Sequence, residues 1–234
     1  MRIFLLCVCV LTSSGVLGDP EPFEPTGPYE SRRVEGWPVL VSRRFLADDP
    51  ALAAATLKRL GAQLDQVARA VPDKPLEALR GVTIWVERDE PHHPCMAYHP
   101  DAGWLRDHGM NPSKARCVEV ANARNFLRWT REQPWMVLHE LAHAYHHQAL
   151  PAGFGNAEIR AAFDRAMGAK LYDKVLAHDG IERRAYAATD PMEYFAEATE
   201  AFFGTNDFYP FVRAELRRHD PEMDRLISKL WHIP

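Results

Sequence analysis

Cysteine is scarce in this 234-residue chain: there are four, and only Cys95 and Cys117 lie beyond the first eighteen residues. No CxxC pair occurs, so neither a thioredoxin-like redox motif nor a Cys-rich zinc ribbon is available. Runs of Lys and Arg are missing too. With 28 basic and 32 acidic residues the formal net charge is −4, a balance that points to neither nucleic acid nor an anionic membrane surface. There are no internal repeats or low-complexity tracts, which argues against a solenoid or array. Past the N-terminus no segment is long and apolar enough for a membrane-spanning helix. What is present is ordinary for a soluble globular protein, 47% hydrophobic and 26% charged, at a length that suits one compact core.

The first eighteen residues, MRIFLLCVCVLTSSGVLG, stand apart. Arg2 gives a positive start, residues 3–11 an apolar stretch, and Val16-Leu17-Gly18 a small-residue cleavage site. This is the layout of a secretory signal peptide, and the apolar run is too short to anchor the chain. The mature protein is expected from Asp19, secreted or periplasmic, with no membrane attachment after cleavage. Residues 19–36, rich in Pro and Glu and without periodicity, read as an extended arm, and residues 37–234 as the domain. In an oxidising compartment the even pair Cys95 and Cys117 reads as a disulfide closing a His/Pro-rich loop. The alternatives are free thiols or a Cys/His zinc cluster with His92, His93 and His99.

Along the domain, residues 37–46 predict a strand, and Asp49-Pro50 caps a long amphipathic helix that ends before Pro72. A helical turn over 76–80 and a strand over 82–87 follow, then a loop region over 88–116. Residues 117–126 alternate as a half-buried strand, placed at a sheet edge where a peptide could add to it. From Pro134 onward the period is helical: 135–150, 156–171, 191–203, 210–218 and 221–231, with a small hairpin around His178-Asp179-Gly180. One mixed α/β domain, helix-rich toward its C-terminus, fits this order.

The densest chemistry lies at residues 139–147, HELAHAYHH. His139 and His143 are i and i+4 on a helix, so both imidazoles leave one face and can reach one Zn²⁺ at about 2.0 Å. Glu140 sits beside them, placed as a general base toward an activated water. A third ligand must come from elsewhere. The HExxHxxGxxH continuation is excluded, because position 146 is His and position 149 is Ala. His146 lies too far along the helix to reach the same ion, so His146 and His147 are read as outer or surface residues. Glu193, Glu197 and Glu200, spaced i, i+4, i+7, line one face of the helix that starts at Asp190-Pro191. Spacing leaves Glu193 open between two readings: a ligand, or the closing residue of a capping box with Asp190.

The two blocks HELAH and RRAYAATDPMEYFAEATEAFFG together resemble the lethal-factor-like clan of zinc metallopeptidases, with the Pro-Pro endopeptidases among them. The resemblance covers roughly residues 135–204. It implies an α+β, single zincin-like domain with a small mixed sheet, an active-site helix and a helix-rich C-terminal half. It implies Glu193 as third zinc ligand, Tyr186 as stabiliser of the tetrahedral intermediate, and Glu197 as a support that takes an imidazole N–H. A fainter similarity of Gly204-Thr205-Asn206-Asp207 to the GTxD element of aspzincins makes Asp207 the competing ligand. The expected function is a secreted zinc-dependent metallopeptidase acting on a peptide or protein substrate. The alternatives are a zinc-containing binding or structural protein without turnover, and a zinc hydrolase of a non-peptide bond.

Overall fold

A computed structural model describes residues 28–233. The expected signal peptide and the first half of the expected arm therefore lie outside the described residues. A five-stranded mixed sheet forms the N-terminal half, in the order β1 (Tyr29–Val34), β2 (Trp37–Ser42), β3 (Ile84–Val86), β5 (Cys117–Val120), β4 (Met96–His99). The outer pairs β1–β2 and β4–β5 are antiparallel, and the inner pairs β2–β3 and β3–β5 are parallel. The crossover from β2 to β3 runs through α1 (Arg43–Asp48), α2 (Pro50–Ala70) and α3 (Asp73–Arg80). The β4–β5 connection holds α4 (Ala102–Asp107). Helices α5 (Ala123–Trp129) to α10 (Pro221–Leu230) follow, so the C-terminal half is largely helical, as expected of an α+β domain. Among the described residues, no helix is long and apolar enough to cross a membrane.

Local chemistry explains most boundaries. The Asp49 side chain accepts from Leu52 N at 3.1 Å and Pro50 opens α2, as that dipeptide predicts. The strand expected over 37–46 stops at Ser42, because the Ser42 hydroxyl caps α1 through Phe45 N. Likewise Asn122 caps α5, so the strand expected over 117–126 ends at Val120. The arm ends in order: Tyr29–Val34 pairs along its whole length with β2, a hairpin hidden from periodicity because its outer face is exposed and charged.

Two corrections concern the region between Cys95 and Cys117. Residues 88–116, expected as loop, contain β4, a four-residue strand too short to announce itself between prolines. It is β4 that forms the sheet edge; β5 lies inside, between β3 and β4. The antiparallel register pairs Met96 with Val120 and His99 with Cys117, so Cys95 and Cys117 stand at opposite ends of this ladder. At about 3.4 Å per residue they are on the order of 13 Å apart along the strands, beyond the roughly 7 Å Cα limit for a disulfide. Both cysteines are free. Cys95 Sγ lies 3.6 Å from Met136 Sδ, and the Cys117 thiol faces the Ala115 carbonyl at 3.4 Å.

Helix α6 (Met136–Ala149) carries the histidine-rich motif and packs under β4 and β5 and against α2, α3 and α8 (Pro191–Phe203). Leu138 and Leu141 are fully buried in it, each contributing roughly 1.5–3 kcal/mol through burial. His146 is not a surface residue. It is fully buried between Phe154 and Phe195, and neither ring nitrogen makes a well-formed hydrogen bond. Burial, then the neighbouring His143 and His147, lower its pKa to about 4, against a slight opposing pull from the Gly153 backbone.

Two outcomes follow from this packing. Alkylation of unfolded, unreduced protein, mapped by mass spectrometry, will label both Cys95 and Cys117; a disulfide-linked peptide pair would contradict the register. Because unfolded His146 takes up a proton that the folded ring refuses, stability falls as pH drops from about 6.5 toward 4. The contribution is about 2 kcal/mol by pH 5. Urea denaturation of His146→Phe should show a smaller loss between pH 7 and pH 5 than wild type, and an equal loss would refute the assignment.

Candidate metal centre

The site is made where α6 and α8 cross antiparallel. The end of α8 meets the start of α6 at Gly204, where any Cβ would fall inside the Trp135 indole. Glycine is required there by close approach. From that fixed point the helices run alongside each other, so His139 and His143 of α6 face the first turns of α8.

His139 and His143 project together, their ring centroids 4.8 Å apart. Both are buried, at 4% and 8% exposure. Asp190 caps α8 by accepting from Met192 N at 2.8 Å and Glu193 N at 3.0 Å. The Glu193 carboxylate is directed to the imidazoles: Oε2 stands 3.0 Å from His139 Nε2 and 3.3 Å from His143 Nε2. Asp190 thus performs the cap while Glu193 joins the histidines. Ligand atoms of a tetrahedral ion with bonds of about 2.0–2.1 Å stand roughly 3.3 Å apart, which these separations approach.

The electrostatics are those of a cation site. Burial would raise the Glu193 carboxyl, but its hydrogen bonds to His139 and His143 and their charge hold it well below the usual range. Its place in the first turn of α8, near the positive end of the helix dipole, favours the anion as well. Burial opposes a charged His139 ring, yet Glu193 and Glu200 raise its pKa well above the ordinary value. Two imidazoles and a carboxylate, converging within 4.8 Å, are a donor set that fits a divalent transition ion.

Around this triad the other expected residues take distinct places. Glu140 Oε2 accepts the Tyr98 backbone N–H at 2.8 Å. Burial, with the Glu193 charge adding, raises its pKa against the lowering pull of His139 and His143. Tyr186, on a short turn before α8, donates its hydroxyl to Glu193 Oε1 at 3.2 Å and is 48% exposed. Burial and the nearby Glu193 charge push its pKa to about 12, so it stays a neutral donor. The imidazole N–H assigned to Glu197 goes instead to Glu200: His139 Nδ1 lies 2.7 Å from Glu200 Oε1. The reason is helical phase, since Glu200 at i+7 returns almost under Glu193 while Glu197 at i+4 is rotated further away. Glu197 accepts from Asn206 Nδ2 at 3.0 Å, and burial and Asp207 raise its pKa well above the ordinary value. Asp207 lines the same cleft but does not converge with His139 and His143; burial and Glu200 lift its pKa to about 6.

Several contributors carried no sequence signal of their own. Gln133 donates to Glu200 Oε1 at 2.9 Å, fixing the carboxylate that holds His139. Tyr98 serves through its backbone, which no residue pattern reveals. Glu200 was readable only as the third member of the i, i+4, i+7 stripe. The triad opens into a cleft of about 440 Å³ bordered by β4.

Among solved structures the chain is similar to a Pro-Pro endopeptidase from Paenibacillus alvei, at 22% identity and a TM-score of 0.41, over 78% of this chain and 90% of that one. No protein-family model matches the chain, and no curated protein does. The reading of the site rests on its side chains.

Metal analysis of dialysed protein is expected to find one divalent ion per chain in wild type and in Asp207→Ala, and none in Glu193→Ala. Glu200→Ala should weaken affinity by about 10- to 100-fold, the usual effect of removing a carboxylate that orients a ligating histidine. Metal retained by Glu193→Ala and lost by Asp207→Ala would reverse the ligand assignment.

Proposed function

We propose that the chain is a zinc-dependent metallopeptidase, held by His139, His143 and Glu193 to one ion and exported by its N-terminal leader. The observation that carries the reading is Glu140. Metal binding has no use for it, yet its half-buried carboxylate stands next to both ligands, at the border of an open cleft. Such a group is what a hydrolytic centre needs and a purely structural metal site does not.

The ion, once bound, supplies Lewis-acid polarisation of a water and of the substrate carbonyl. Glu140 takes the proton as that water attacks the carbonyl carbon, and delivers it to the departing amine as the C–N bond breaks. Its raised pKa suits both tasks, because a carboxylate made more basic accepts the proton readily and, once protonated, can return it. Tyr186, a neutral phenol open to the cleft, donates to the oxyanion that develops.

A peptide is favoured as substrate because the cleft runs along a free sheet edge. Along β4, alternate residues turn their backbone groups to β5 and to the open side. Tyr98 faces the open side, since its N–H reaches Glu140, and Met96 two residues earlier shares that direction. An extended substrate would add to β4 through the Met96 backbone, with its scissile bond carried toward Glu140. Export of the mature chain from Asp19 fits the leader's charge and apolar length.

The test is cleavage of a diverse peptide library by wild type and Glu140→Ala, both assayed for zinc. Glu140→Ala should keep its metal and lose about 10²- to 10⁴-fold in kcat, the usual worth of a general base. A zinc-loaded wild type that cleaves nothing would end the peptidase reading.

A further inference from the structure

The cleft is bordered by strand β4, which is seated on α6, and Tyr98 hydrogen-bonds across that seat at both its backbone and its side chain. Tyr98 touches α6 at two stations. Its backbone N–H donates to Glu140 Oε2 at 2.8 Å, and its phenol oxygen lies 2.8 Å from His147 Nδ1. Glu140 and His147 are seven residues apart, on one face and separated by about 10 Å along the helix axis. A residue tied by its backbone at one end of that span and by its side chain at the other fixes where β4 sits along α6.

A third residue constrains the second bond. Gln148 Nε2 donates to the Tyr98 oxygen at 3.0 Å and to the Arg116 carbonyl at 2.9 Å. An amide nitrogen only donates, so Gln148 fills an acceptor position of the phenol oxygen and leaves the phenol proton free to go to His147 Nδ1. Burial, then the Arg116 charge, lower the His147 pKa and keep the ring neutral, and with the phenol as donor its own proton sits on Nε2. The ring is held flat against Phe154, with centroids 4.6 Å apart and planes 15° from parallel, and Tyr98 meets both rings edge-on. A ring merely lying on the surface would need none of these contacts.

We propose that His147 is a positioning residue for the catalytic cleft: by accepting the Tyr98 hydroxyl it seats the edge strand on α6 and, through it, the amide that holds the Glu140 carboxylate. Its kinetic consequence rests on the peptidase reading, whereas its effect on the strand does not. Tyr98→Phe removes the donor, His147→Leu the acceptor, and His147→Asn keeps an acceptor oxygen close to the place of Nδ1. Because both single changes cut the same bond, their effects are not independent.

The experiment combines kinetics with hydrogen exchange on the zinc-loaded full chain. Tyr98→Phe and His147→Leu should each lower kcat about tenfold with KM changed about twofold at most, the scale of one lost hydrogen bond. The double variant should be no worse than the poorer single, and His147→Asn should recover most of the loss. Amides of residues 96–99 should exchange faster in both singles and return toward wild type in His147→Asn. Additive losses in the double variant, or exchange at β4 unchanged in His147→Leu, would overturn the proposal. Should wild type cleave no peptide, the peptidase reading fails, and the exchange result alone decides the role of His147.

Discussion

The antiparallel contact of α6 with α8 is the constraint on which the site depends. Gly204 lets the Trp135 indole lie against the end of α8, and from there the two helices bring residues 139 and 143 opposite 193 and 200. No loop closes the triad. Its three donor groups sit on rigid elements whose apolar faces are buried in the common core, which is how a site is held to the tolerance that metal binding and catalysis require. The same core is braced from the far side, where fully buried Asp220 accepts from Tyr194 and Arg165 at 2.5 Å each while capping α10.

Electrostatics complete what packing begins. Taken alone, a cluster of the buried Glu197 and Glu200 with the half-buried Glu193 and Asp207 is costly, and Glu197 and Asp207 have raised pKa values as a result. The charge that offsets it comes from the imidazoles: Glu193 and Glu200 grip opposite nitrogens of His139, one on the side of the shared donor set and one behind it. That arrangement fixes the orientation of the ring. The Glu140 carboxylate is kept out of this grip by a backbone amide on another element, so it remains available next to the triad.

Much of this was legible in the sequence, and the failures have physical causes. The i, i+4 spacing of His139 and His143 and the Asp-Pro helix starts at 49–50 and 190–191 have purely local causes, and they hold. What could not be read are features set by non-local register. Strand β4 is four residues long, and only its pairing with β5 defines it; the sequence, which does not carry that pairing, places β5 at the edge and pairs Cys95 with Cys117. The exchange of Glu200 for Glu197 behind His139 is subtler. The stripe was visible, but which member faces a given imidazole depends on the crossing of the two helices. His147 illustrates the same limit, since its bond is to a strand residue 49 positions earlier in the chain.

The most direct measurement is X-ray absorption at the zinc edge of the purified protein. One zinc per chain is expected, in a shell of nitrogen and oxygen at about 2.0 Å, with the multiple-scattering signature of two imidazoles and no sulfur contribution. A sulfur shell would move the metal to Cys95 or Cys117, and a protein that takes up no stoichiometric zinc would contradict the site altogether.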